Sequence, residues 1–207
     1  NTDYLITIAG SQTAMVIVSL DETGERSFGF YRHNTADVLL TQAHLAQINW
    51  QSISPLPFGS NTLTDPAIAS TTVKALELAK THNKLVSFDV NLRYSLWENT
   101  HDIASNVQAC FAYCDIVKLS RDELNFLANH SETTGEDYIQ MLLNTGVKLV
   151  FLTDGPEPAT VYHSAFILNE SAPKINAVDT TSAGDAFIAG VLYYLNNLGS
   201  DLVLADK

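Results

Sequence analysis

The chain has 207 residues, 46% hydrophobic and 16% charged, an ordinary composition for a soluble globular protein with one good core. Lysine and arginine total 11 against 23 aspartates and glutamates, a net charge of −12. So acidic a surface repels nucleic acid and anionic membranes, and it argues against both as partners. No stretch approaches a transmembrane length, and no basic-then-apolar leader stands at Asn1, so neither a span nor a secretory signal is expected. Cys110 and Cys114 sit one helical turn apart in an apolar run with Val107 and Phe111. They read as reduced core thiols, which fit the cytosol, and the expected location is cytoplasmic.

Residues 13–32 read as a β-hairpin. Thr13 to Leu20 is apolar and β-branched, residues 21–25 make a turn with a glycine, and Arg26 to Arg32 alternates with Phe28 and Phe30 on one face. From residue 36, helices and strands alternate. Ser54-Pro55-Leu56-Pro57-Phe58 falls where a strand is due, but proline cannot donate to a central ladder, so this strand is short, at an edge, or absent. Asp65-Pro66 opens a helix, with Asp as N-cap and Pro at the first position, that runs through Ile68, Leu76 and Ala79. Residues 84–90, 115–119 and 147–153 are apolar strands. Helices fill 103–114, the stretch after Ser120, and Tyr138 to Leu143. This order means βαβ units: an α/β fold with a buried parallel sheet and helices on both faces.

The polar run Asp179-Thr180-Thr181-Ser182 precedes a long apolar one, which marks a helix start. Thr181 or Ser182 can cap it, and Asp185 falls in the first turn. Phe187, Val191 and Tyr194 share one face while Ile188, Leu192 and Leu195 cover the next, so the helix is expected to be buried nearly all round. Small residues at its start leave backbone N–H groups aimed at one point, a natural seat for phosphate or developing negative charge. Asp185 is then either a plain helix-end carboxylate or a general base beside an anion hole, and spacing does not choose.

Ligands of open parallel α/β sheets bind beyond the carboxyl ends of the strands. After strand 84–90 come Asn91 and Arg93, suited either to phosphate oxygens or to capping the next helix. After strand 115–119, Ser120 and Glu123 have capping-box spacing. After strand 147–153, Thr153-Asp154-Gly155-Pro156-Glu157-Pro158 reads as a turn, with Asp-Gly and two prolines. No Walker-type phosphate loop occurs, so a phosphate cradle would have to be the helix start bearing Asp185.

The run Asp179-Thr180-Thr181-Ser182-Ala183-Gly184-Asp185 resembles the D-T-x-G-A-G-D signature of the ribokinase-like (PfkB) carbohydrate kinases, with Ser182 at a usual glycine. Asp89-Val90-Asn91-Leu92-Arg93-Tyr94-Ser95-Leu96-Trp97 resembles the D-x-N-x-R-x-x-L-W run of its fructokinase-like members, and residues 25–32 resemble their E-R-S-F-x-F-x-R. The resemblance implies a three-layer sandwich with a mainly parallel sheet: residues 13–34 would be part of a β-sheet lid and 35–207 the kinase core. The family's N-terminal sugar-binding segment and closing C-terminal segment would lie outside this chain. It implies Asp185 as catalytic base and sugar contact, and the amides of Ala183, Gly184 and Asp185 as anion hole. Asn91 and Arg93 would bind phosphate, and Arg32 the sugar. Thr153 and Gly155 match the T-x-G of a T-x-G-x-x-G nucleotide segment whose second glycine is Pro158 here. Glu123 matches an N-x-x-E glutamate that orders Mg²⁺ through water, with Ser120 replacing the Asn. Asp179 and Thr181 match positions that in many members hold a monovalent cation such as K⁺. The implied activity is ATP-dependent phosphorylation of a sugar, foremost fructose, with Mg²⁺ as cofactor and a homodimer left open. A kinase for ribose or a ribonucleoside, and a catalytically silent sugar-binding relative, are the alternatives.

Overall fold

The computed structural model describes residues 3–20, 22, 26–175 and 179–198. Most of the turn expected at 21–25, and residues 199–207 of the expected core, lie outside the described residues. Strands β1 (Met15–Leu20) and β2 (Arg26–Tyr31) pair antiparallel as a separate two-stranded sheet. Phe28 and Phe30 stack on one face as their spacing requires, centroids 6.3 Å apart.

After the short helix α1 (Gln42–Leu45), the remaining strands build one six-stranded sheet in sequence order. They are β3 (Leu56–Gly59), β4 (Val86–Asp89), β5 (Ile116–Ser120), β6 (Leu149–Asp154), β7 (Glu157–His163) and β8 (Phe166–Glu170). β3 to β6 run parallel, and β6, β7 and β8 run antiparallel. The proline-rich stretch is the four-residue edge strand β3, where Pro57 leaves no central ladder broken.

The crossovers are α2 (Pro66–Thr81), α3 (Ile103–Phe111), then α4 (Arg121–His130) and α5 (Gly135–Asn144). Asp65 caps α2 by accepting from Ala67 N–H at 2.8 Å, and Pro66 stands at its first position. Strands that advance steadily across the sheet keep right-handed crossovers on one face. Accordingly Val86, Phe88, Val117, Leu119, Val150 and Leu152 pack with these helices in the larger core. The other face meets α6 (Ala183–Leu198), where Leu85, Ile116 and Phe151 pack on Ile188 and Leu192. The result is a helix–sheet–helix sandwich whose sheet is mainly parallel.

Two expectations need correction. α6 is not buried all round: Ile188 and Leu192 face the sheet, but Tyr193 and Tyr194 are 74% and 63% exposed. The described residues pack against one side of this helix only. Second, β7 and β8 were not expected as strands. Their residues are half-buried or exposed, and Pro158 lies within β7, so the buried-strand pattern is missing there. Among the described residues no helix is long and apolar enough to cross a membrane.

The core's centre is Phe88, fully buried, with Phe58 stacked at 4.2 Å and Phe111 tilted at 5.8 Å. Phe88→Ala should cost about 3–5 kcal/mol of unfolding free energy by chemical denaturation. A loss under about 1 kcal/mol would mean that the site collapses freely and the core does not pivot on this ring.

Candidate active site

A cleft of about 450 Å³ opens where the carboxyl ends of β3 and β4 meet the hairpin and the start of α6. Arg32, Asn91, Arg93 and Asp185, four residues singled out from sequence, all line it. Asp185 is exposed and lines this cleft. A larger apolar cavity of about 780 Å³ lies between residues 4–14 and α2. It contains none of those four residues, so chemistry and not size selects the smaller cleft.

The floor comes from strand ends. β4 finishes at Asp89, and Asn91 takes φ +38°, a left-handed turn that Asn tolerates better than most residues. This brings both Asn91 and Arg93 to the cleft wall. The Arg93 guanidinium lies over the Phe28 ring, 5.3 Å from its centroid, so a strand of the hairpin holds a residue of the β4 loop by cation–π attraction. At the end of β3, Gly59 leaves little room for a side chain: a Cβ would meet Asn61 Oδ1 at 3.1 Å and the Asp89 carbonyl at 3.3 Å.

Arg32 is oriented before any ligand arrives. Its side chain is 11% exposed, with Nε donating to Asp37 and Nη1 to Thr64 Oγ1 at 2.9 Å. Partial burial works to raise the Asp37 carboxyl. Hydrogen bonds from Thr35 and Arg32, with the Arg32 charge, outweigh it and hold that carboxyl below its usual range.

Glu123 completes the capping box of α4: Ser120 Oγ accepts from Glu123 N–H, and Glu123 Oε2 accepts from Ser120 N–H at 2.7 Å. Its other oxygen, Oε1, accepts from Leu92 N–H at 2.7 Å. One buried carboxylate thus ties the β5 end to the loop bearing Asn91 and Arg93.

The start of α6 is tightly turned. Asp179 Oδ1 accepts from Thr181 N–H at 2.8 Å, and Ser182 sits at φ +60°. Serine there holds a conformation that glycine would take freely, at a strain of about 1–2 kcal/mol. Ala183 N–H is donated to Thr180 O at 3.2 Å, which leaves Gly184 and Asp185 as the better-placed amides for an anion. Thr153 and Gly155 lie at the β6 end, outside the cleft; Gly155 takes φ +54° in the β6–β7 turn, and Thr153 Oγ1 is 3.4 Å from Leu119 O. Asp37 and Asn61, which also line the cleft, were not anticipated, because only the fold brings them beside Arg32 and Asp89.

With this geometry in hand, comparison with known proteins is decisive. Residues 1–205 match the pfkB family carbohydrate kinases. The chain belongs to the pfkB family. It is 34% identical over 195 residues to a probable fructokinase-7 of Arabidopsis thaliana, covering 94% of this chain and 56% of that protein. A fructokinase from Xylella fastidiosa with bound ATP superposes with a TM-score of 0.85 at 34% identity, over 91% of this chain and 58% of that one. A fructokinase double mutant from Vibrio cholerae O395, holding fructose, ADP and a potassium ion, gives 0.76 at 31% identity, over 95% and 60%. The chain therefore spans little more than half the length of these pfkB relatives.

The metal that this family resemblance implies fits the residues present. No group of three or more His, Cys, Asp or Glu side chains able to cage a metal occurs among the described residues. Glu123 already holds an amide on each oxygen, so it suits contact with a metal's water shell. Mg²⁺, which keeps its waters and leans on substrate phosphates, matches that donor set.

Glu123→Gln should lower unfolding free energy by about 1–3 kcal/mol, because one of two buried N–H groups would then face an amide NH₂. Denaturation midpoints would check this. No change would show that the Leu92 and Ser120 amides do not depend on the carboxylate.

Proposed function

We propose that this chain forms the phosphoryl-transfer part of an ATP-dependent sugar kinase, with D-fructose as acceptor and fructose 6-phosphate as product. The observation that supports it best is the meeting of Asp185 with Asn91 and Arg93 in one cleft. A base and two phosphate-binding side chains from opposite sides of a cleft are what an in-line transfer requires. Fructose is favoured over other sugars because the relatives above are named fructokinases.

In this reading Asp185 takes the proton from the terminal hydroxyl of the sugar. The freed oxygen forms a bond to the γ-phosphorus as the bond to the ADP oxygen breaks. The amides of Gly184 and Asp185, with Asn91 and Arg93, hold the charge spread over the transferring oxygens, while the Ala183 amide stays on Thr180 O. Arg32, preset by Asp37 and Thr64, orients the sugar. Thr153 and Gly155 flank the nucleotide. Strands β1 and β2 serve as part of a lid, a role supported by Val16 and Phe30 lining the cleft. Glu123 would hold Mg²⁺ through its water shell, where the ion would supply charge neutralisation on the phosphates, and Asp179 and Thr181 would hold a K⁺.

Asp185→Asn should lower kcat by about 10²–10⁴-fold, the usual loss on removing a general base. Sugar affinity measured by calorimetry should stay within about threefold, since the amide keeps the shape and one acceptor. The parent should phosphorylate fructose faster than ribose or ribonucleosides. Parental turnover in Asp185→Asn would refute the assignment of the base.

A further inference from the structure

Lys118 is the one lysine or arginine that is buried among the described residues, and the transfer scheme above does not use it. It stands on β5 directly beside Asp89 of β4 in the parallel register, on the face covered by α6. Its Nζ is 3.0 Å from Asp89 Oδ1. The two charges meet off the hydrogen-bond direction, and Oδ1 has no hydrogen bond from any other described group. On its far side the ammonium stands next to the first turn of α6: a Cβ at Gly184 would lie 3.0 Å from Nζ. The ammonium is wedged between the end of β4, which runs on into Asn91 and Arg93, and the turn that bears Asp185.

Stability does not explain this pair. Desolvating two charges is rarely repaid by their attraction when only one contact joins them. Burial pushes the Asp89 carboxyl up to about 6 despite the opposing pull of the Lys118 ammonium, with Glu123 and Asp185 adding to the rise. An apolar pair of like shape would serve the core as well or better. What such a pair would not supply is a fixed spacing between two polar segments, each bonded to different elements.

We propose that Lys118 and Asp89 are positioning residues. The wedged ammonium sets the gap between the first turn of α6 and the β4 end, so that Asp185 and the Gly184 amide stay opposite Asn91 and Arg93. At Gly184 a side chain would crowd the ammonium, 3.0 Å from its Cβ. This inference rests on the kinase reading for its catalytic consequence, but the spacing itself is independent of it.

The test compares Lys118→Met, Asp89→Asn and the double variant of the full-length protein by two readouts. These are amide hydrogen exchange over residues 183–187 and steady-state turnover of fructose with ATP. Lys118→Met should speed exchange in that turn and lower kcat at least about tenfold, with KM for fructose within about threefold, since misplacement by about an ångström costs rate more than binding. The double variant, free of both buried charges, should regain the parental denaturation midpoint while its exchange stays fast and its kcat stays low. Should Lys118→Met alone fail to fold, the double variant decides. Parental kcat in the double variant, or unchanged exchange in either, would overturn the proposal. If exchange rises as expected but the parent itself turns over no sugar, the spacing role stands and the kinase reading falls.

Discussion

The bare amide end of α6 must sit against the carboxyl ends of β4 and β5, and the arrangement of the cleft depends on that contact. A helix start offers N–H groups that nothing inside the helix can satisfy. Here Ser182, at φ +60°, bends the chain sharply into that start, and Ile188 and Leu192 anchor the helix on the opposite face of the sheet from the other crossovers. The strand ends answer with Asn91 and Arg93. Without the apolar anchor the amide end would be an ordinary helix terminus in water, too well solvated to favour one anion strongly.

Two buried charged groups surround this junction in different ways. Glu123 accepts one backbone amide on each oxygen, and it ties the β5 end to the loop after β4. Lys118 and Asp89 are held by charge more than by hydrogen bonds, and they lie between the strand end and the helix turn. The first arrangement stabilises; the second costs stability and fixes a distance. Above the cleft, the stacking of Arg93 on Phe28 links the same loop to the hairpin. The β4 loop is therefore gripped from below by a carboxylate and from above by an aromatic ring.

Features that a few adjacent residues determine were legible in the sequence. The Asp65-Pro66 helix start and the Ser120–Glu123 capping box formed as read, because each needs only residues within one turn. The prolines at 55 and 57 left three readings open, a short strand, an edge strand or none, and β3 is both short and at the edge. The signature at 179–185 and the Asn91–Arg93 loop pointed to one chemistry, and the fold set four of the expected residues around one cleft. What failed was long-range. The pairing of Asp89 with Lys118, the fit of Gly184 against that ammonium, and the second bond of Glu123 all depend on strand register and helix placement. β7 and β8 escaped because exposed strands lose the apolar run that marks a buried one. The outer face of α6 shows the reverse error: Tyr193 and Tyr194 are apolar enough to suggest burial, yet the described residues pack on one side of the helix alone.

The most direct test of the central claim is a crystal structure of the full-length protein with fructose, ADP, Mg²⁺ and aluminium fluoride as mimic of the phosphoryl group in flight. The account predicts the fluoride plane within about 3 Å of the Gly184 and Asp185 amides, with the Asp185 carboxylate on the sugar hydroxyl and Arg93 reaching the same group. A phosphoryl mimic seated elsewhere, with the amide end of α6 facing only solvent, would contradict it.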